Sequence, residues 1–325
     1  TIWKREIKHD YGLDDVFMLN DSDAMIVSSG LHSVNLKTGL GWDYNAVTGV
    51  QFMQTMKAGI KSNVIIDSLD IYFASKEKIS RLDINGNLIW STTLPEDLTS
   101  ASNIILSGNT LYMINSGTAQ CGYATHKQGK PFLAAYNIEN GKNIFLNTVD
   151  NQSGKTIESV IDKDELIILY KDKIAKCSLK NGDLISENTF DTGINGEIVG
   201  FVNDGIYNKY DSTYKSLTLN DTINHYIYTK KKIVLAIDKN LNIVNQYDID
   251  QLYKLYLNYN KLRFLANKDN SIIIDKDNKI VAIIDVPGKA KRIGSKIYFI
   301  HEKSIIEIDL NEISQVETNI WKTNT

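Results

Sequence analysis

The side chains best able to do chemistry gather in one segment. Between Asn115 and Phe132 lie Cys121, Tyr123, His126, Lys127 and Lys130, separated by Gly117, Gly122 and Gly129. A phenol, an imidazole and two ammonium groups on a long glycine-punctuated excursion are partner- or ligand-binding groups, because long loops on a rigid scaffold are where recognition resides. The alternative reading is an elongated hairpin without a ligand. A second excursion, Tyr210 to Lys215, carries Tyr210 and Tyr214, whose amphipathic rings suit interfaces and sugar faces.

Bond-breaking chemistry has little support. There is no Gly-x-Ser-x-Gly elbow and no phosphate-cradling glycine loop. His9, His32, His126, His225 and His301 are scattered, with no metal-ligand spacing among them. Asp83-Ile-Asn-Gly-Asn87 and Asp275-Lys-Asp-Asn278 bear a faint likeness to a calcium loop. They lack its glycine and distal glutamate at the required places, so they read as turns capped by their own side chains. Cys121 and Cys177 stand 56 residues apart and read as two independent thiols; a single bridge stays open only in an oxidising compartment. The run Lys230 to Lys232 reads as a solvated turn. No catalytic residue, cofactor or metal is expected from these patterns.

The elements that must position these groups are short strands. Runs rich in Ile, Val, Tyr and Thr are bounded by Asn, Asp, Gly and Ser, and helical periodicity is nearly absent. Asp250 to Asn258 is the exception, open between a short helix and a strand. One hairpin recurs. Its clearest copy is Leu82-Asp-Ile-Asn-Gly-Asn-Leu-Ile-Trp90, where Asn-Gly suits a two-residue hairpin turn. Related turns open at Asn35, Asn137, Ser178, Asp238, Asp275 and Asp309, with spacings along the chain of 48, 54, 41, 60, 37 and 34 residues. Gly39, Gly86, Gly141 and Gly182 mark four of them, and Trp42 and Trp90 follow two.

A period near 45 with about four strands per unit is the pattern of a propeller blade. A lone blade leaves both faces bare, and radial stacking covers each with a neighbour. The expectation is an all-β, single-domain, seven-bladed β-propeller of four-stranded antiparallel blades spanning residues 1–325, with six or eight blades as the alternatives. The excursion Ser116 to Pro131 then interrupts the second and third strands of blade three. Trp3, Trp42, Trp90 and Trp321 read as packing residues rather than a site. The N-terminal strand, residues 1–8, reads as a displaced outer strand that closes the ring with the C-terminal blade, and Ser314 to Thr318 is the competing latch.

Lys78-Ile-Ser-Arg-Leu-Asp-Ile-Asn-Gly-Asn-Leu-Ile-Trp90 resembles the blade repeat of quinoprotein-like (PQQ-like repeat) propellers; Val34 to Trp42 and Tyr136 to Phe145 resemble it less closely. The remaining copies lack the Trp and mostly the Gly. Members include quinone-dependent dehydrogenases and non-catalytic proteins, among them an outer-membrane assembly lipoprotein that binds partners through loops. The dehydrogenases typically carry adjacent cysteines, and this chain has no Cys-Cys pair. The resemblance therefore implies the non-catalytic type, and a fold rather than an activity.

Composition narrows the classes further. A hydrophobic fraction of 42% with 23% charged residues excludes wholesale disorder, and a formal net charge of −3 gives no basic excess for nucleic acid. No apolar run approaches the length of a membrane-spanning helix. The chain opens at Thr1 without an initiating Met, which reads as a processed N-terminus. With the resemblance, this suggests a periplasmic, outer-membrane-associated or secreted protein. The functional expectation is a non-enzymatic binding or scaffold module that presents loops to a protein or glycan partner in a bacterial envelope. A carbohydrate-active enzyme with channel-facing carboxylates is the first alternative, and a degenerate quinone binder the second.

Overall fold

Runs of four to six β-formers closed by turn residues give strands too short to bury a face alone, so they pair as antiparallel meanders. The computed structural model describes residues 4–5, 15–44 and 59–313, apart from 21, 29, 76, 96–97, 99–101, 116, 122–123, 128, 150–155, 203–204, 209–212, 250–252, 260, 267–269, 286–289, 294 and 302–303.

Blade one is β1 (Asp15–Met18), β2 (Asp23–Val27), β3 (Leu31–Asn35) and the short β4 (Asp43–Tyr44). Blade two is β5 (Ile65–Asp67), β6 (Asp70–Ala74), β7 (Lys78–Asp83) and β8 (Leu88–Thr93). Blade three opens with β9 (Ser102–Ser107) and β10 (Thr110–Asn115). It departs into a separate two-stranded sheet, β11 (Thr118–Cys121) and β12 (Ala124–Lys127), and resumes with β13 (Phe132–Asn137) and β14 (Asn143–Thr148). Blade four is β15 (Glu158–Asp162), β16 (Glu165–Leu169), β17 (Lys173–Ser178) and β18 (Leu184–Thr189). A single helical turn, α1 (Thr192–Asn195), precedes blade five, whose strands are β19 (Ile198–Phe201), β22 (His225–Thr229), β23 (Ile233–Ile237) and β24 (Ile243–Asp248). Its insertion forms β20 (Gly205–Asn208) and β21 (Thr213–Ser216). Blade six is β25 (Tyr253–Tyr259), β26 (Leu262–Ala266), β27 (Ser271–Ile274) and β28 (Ile280–Ile284), so the Asp250 to Asn258 segment is a strand.

The described residues form six four-stranded blades, not the seven expected. The seventh repeat is a three-stranded sheet, β29 (Ala290–Ile293), β30 (Lys296–His301) and β31 (Ser304–Asp309), followed by the helical turn α2 (Leu310–Ile313). After β31 the Asp309 carboxylate accepts from the Asn311 amide at 2.9 Å at the start of α2, and the described residues end at Ile313. Residues 1–3, 6–14 and 314–325, which hold most of the expected N-terminal strand and the competing latch, lie outside the described residues.

The chain divides into two compact units, Thr1–Tyr170 with Lys176–Ile185, and Lys171–Ala175 with Ser186–Thr325. In the first, Tyr72, Trp90, Leu111, Met113, Phe132 and Tyr136 pack one core, and Met25, Leu31, Ile71, Phe73 and Leu82 another. Burial pushes the Tyr136 phenol up to about 12. In the second, Val234, Ala236, Tyr226 and Ile206 form one cluster and Tyr207, Tyr253, Leu265, Ile272 and Ile274 another.

The turns after the third strand fall into two kinds. In blades two, five and six the opening Asp accepts two backbone amides: Asp83 from Asn85 and Asn87, Asp238 from Asn240 and Asn242, Asp275 from Asp277 and Lys279. The Asn87 side-chain amide is the largest influence holding the Asp83 carboxyl below its ordinary range. Blades one, three and four use one residue more, with Asn35, Asn137 and Ser178 capping. Neither kind is the two-residue turn read from Asn-Gly. Gly86 alone takes positive φ (83°), donates to Asp83 O at 3.0 Å, and the register slips at Arg81/Leu82. That is a turn followed by a glycine bulge.

The same glycines receive the neighbouring blade. A Cβ on Gly86 would lie 2.6 Å from the Trp42 ring, one on Gly141 2.6 Å from the Trp90 ring, and one on Gly182 2.4 Å from the Phe145 ring. Trp42 Nε1 donates to Ile84 O at 3.2 Å and Trp90 Nε1 to Ile138 O at 2.7 Å. Two residues beyond the ring, a polar side chain donates to the same turn: Thr92 to Gly141 O (2.6 Å) and Asn147 to Asn181 O (2.8 Å). Trp42, Trp90 and Phe145 with Gly86, Gly141 and Gly182 are therefore one device and one rule for stacking blades.

Candidate functional site

Blade three supplies the foundation of the long excursion. β10 and β13 pair in register up to Asn115 opposite Phe132, where the chain leaves the blade. Asn115, 3% exposed, accepts from the Gly117 amide at 2.6 Å. Gly117 has φ +65°, and a Cβ there would stand 2.7 Å from Pro131 and 3.0 Å from Gly129 O. Pro131 O in turn accepts from Val149 on the approach from β14. The neck is thus fixed by backbone fit, and only glycine satisfies both the φ and the approach at position 117. Beyond it, β11 and β12 pair as Thr118↔Lys127, Ala119↔His126, Gln120↔Thr125 and Cys121↔Ala124. His126 and Lys127 thus lie on β12, and Lys130 is exposed beside the neck. Tyr123 falls outside the described residues.

The second excursion goes elsewhere. β20 and β21 leave blade five between its first two strands and join blade six, giving the sheet order β21-β20-β25-β26-β27-β28. Tyr207 pairs with Tyr253 in register and both are fully buried, their rings T-shaped at 6.2 Å. Tyr214 lies between Gly205, whose Cβ would meet its hydroxyl, and Arg263, whose guanidinium stands 4.5 Å over the ring. Tyr210 is outside the described residues. The hairpin therefore covers the first-strand edge of blade six and commits Tyr214 to packing.

Sequence reasoning missed a second constellation. In blade one, Ser28 Oγ lies 3.0 Å from His32 Nε2, and His32 Nδ1 lies 2.8 Å from Asp43 Oδ1. Arg5 donates to the same Asp43 oxygen at 2.6 Å and to Ser33 O at 2.6 Å. The connectivity is that of an acyl-transfer triad. The setting is not: Ser28 is 1% and His32 2% exposed, so no substrate carbonyl reaches the hydroxyl. The chain instead fixes the Asp43 carboxylate beneath the Arg5 guanidinium. A fluorophosphonate probe should accordingly leave Ser28 of the native protein unlabelled; a stoichiometric adduct read by peptide mass would establish a nucleophile there.

The lysine run lies exposed in the turn between β22 and β23, as its sequence suggests, and two of its side chains also find partners. Lys230 pairs with Glu197 at 2.5 Å, and Lys231 donates to Gly193 O and Ile194 O at the end of α1. The Lys230 hydrogen bond, then the Lys171 charge, hold the Glu197 carboxyl below its usual range. Cys177 is buried in β17; the side chain of Cys121 is not described. Among the described residues no group of three or more His, Cys, Asp and Glu is placed to hold a metal ion. The repeat Asp and Asn side chains bond their own turns, one blade at a time, and do not converge as a quinone–calcium site requires.

These blades and their glycine-seated rings define a β-propeller. No protein-family model matches the chain, and no curated protein matches it. Among solved structures it is similar to BamB from Moraxella catarrhalis, with a TM-score of 0.50 and 14% identity over 89% of this chain and 93% of that one. It is also similar to the computationally designed protein Ika8, with a TM-score of 0.45 and 8% identity over 90% of this chain and 94% of that one. At such identity the likeness to BamB establishes the shared propeller fold.

Proposed function

We propose that this propeller is a non-enzymatic protein-binding module of a bacterial envelope, and that the β11–β12 hairpin of blade three is its recognition element. The observation that carries this is the neck: a hairpin that among the described residues pairs as its own two-stranded sheet stands on a base locked by Asn115, Gly117 and Pro131. A self-paired hairpin on a fixed root can meet a partner at low ordering cost, and Tyr123, His126, Lys127 and Lys130 are the residues proposed to bind it. The burial of Ser28 and His32 favours binding over catalysis. The fold shared with BamB and the resemblance of the repeat support an envelope scaffold, and no helix of the described residues is long and apolar enough to cross a membrane.

Excising residues 118–128 and joining Gly117 to Gly129 tests this reading, since a shorter loop carries little entropic penalty. The β-sheet circular dichroism and melting temperature of the variant should match the parent, while in-cell crosslinking should lose the parent's stoichiometric partner. Retention of that partner by the folded variant would remove the hairpin from recognition.

A further inference from the structure

Blade three differs from the other blades in charge. Its strands β9, β10, β13 and β14 hold no Asp, Glu, Lys or Arg, alone among the six blades. No acidic residue occurs anywhere from 98 to 138, although the chain carries 39 Asp and Glu in all. The lysines of that stretch are Lys127 and Lys130, and both belong to the excursion. The turn between β13 and β14 holds Glu139 and Lys142, but it lies at the far end of the blade, past Asn137 opposite Thr110. The excursion leaves from the other end, past Asn115 opposite Phe132. Residues 98–138 thus contribute positive charge alone, and they place it at the hairpin.

The hairpin also offers a backbone edge. Among the described residues β12 pairs with β11 and with no other strand. In an antiparallel pair alternate residues turn N–H and C=O outward, so part of the β12 backbone faces away from β11. Lys127 ends that strand, and Lys130 follows it, exposed beside the neck. Lysine on such an edge opposes pairing with a second copy, which would bring a positive strand to a positive strand. It favours an added strand of opposite sign: main-chain hydrogen bonds hold the segment and charge selects it. On the reading that the hairpin is the recognition element, we propose that β12 receives an acidic extended segment of the partner protein as an added strand, its Asp or Glu residues set against Lys127 and Lys130.

Two measurements on the full-length chain test this. The first repeats the in-cell crosslinking with Lys127→Glu and Lys130→Glu combined, beside Lys127→Arg and Lys130→Arg combined and the hairpin excision. Charge reversal should lower the yield of the parent's stoichiometric adduct about tenfold or more, and the arginine pair should retain it. If excision removes the adduct and charge reversal does not, recognition by the hairpin stands and the acidic strand is overturned. If excision leaves the adduct, both fall. The second titrates the purified protein with short peptides of alternating Thr and Asp, Thr and Lys, or Thr and Ser. The Asp peptide should bind about tenfold or more tighter than the other two, weaken as salt is raised, and slow amide exchange within residues 124–127. Equal binding of the three peptides, failure of the Asp peptide to bind, or its binding with exchange at 124–127 unchanged would overturn the proposal.

Discussion

Trp90→Ala should destabilise the chain by about 3–5 kcal/mol, the range for truncating a large buried aromatic. Trp90 is 8% exposed and belongs to a core that also holds Tyr72 and Ile79 of blade two and Phe132 and Tyr136 of blade three. Truncation leaves a void that Gly141 cannot fill, because it has no side chain. The indole hydrogen bond to Ile138 O is lost as well, but that carbonyl keeps Arg81 Nη1 at 2.8 Å, so no buried acceptor is orphaned and the cavity dominates. Urea titration should show a lower midpoint in Trp90→Ala and partial recovery in Trp90→Phe. Trp42→Ala, at a part-buried ring with a longer 3.2 Å bond, should cost less. A loss below about 1 kcal/mol in Trp90→Ala would mean the ring is not a junction residue.

The same residues explain what was readable beforehand. The repeat was legible because each turn needs a capping Asp, Asn or Ser and a residue at positive φ, and those requirements write Asp83, Asn137, Gly86 and Gly141 into the chain. The excursion of blade three was legible because it breaks that spacing. Blade count was not, since Asp309 accepts the amide two residues on just as Asp275 does, yet a helical turn follows the first and a hairpin the second. Nor was the destination of β20 and β21, because pairing with β25 depends on a neighbouring sheet edge and not on local pattern. The Ser28–His32–Asp43 chain has no motif. It arises because His32 and Asp43 face each other in the β3–β4 register while Ser28 closes the turn before β3, so only a correct register could have exposed it. The lysine run was legible as an exposed turn, but its partners were not, since Glu197 and α1 lie a full strand pair earlier.

The junction of blades four and five keeps the rule with its parts exchanged. Asn188 donates to Leu241 O at 2.8 Å, the bond that Thr92 makes to Gly141 O, which places Ser186 where Trp90 stands and Leu241 where Gly141 stands. Leu241 has φ +67° and is fully buried. A leucine in this left-handed region costs about 1–2 kcal/mol, and burying its side chain returns about 1.5–3 kcal/mol. By this equivalence the buried group on the turn is Leu241 and the strand position facing it is the small Ser186, which the following variants test. Leu241→Gly should relieve the backbone but open a cavity, for a net loss of about 2–3 kcal/mol. Ser186→Phe alone should also destabilise, since Leu241 already fills the space. Together the two changes recreate the arrangement of Phe145 on Gly182, so the double variant should be more stable than the sum of the single losses by about 1 kcal/mol or more. Denaturant midpoints of all four proteins give that coupling directly. Simple additivity would show that Ser186 and Leu241 do not share one site, and the rule would then end at blade four.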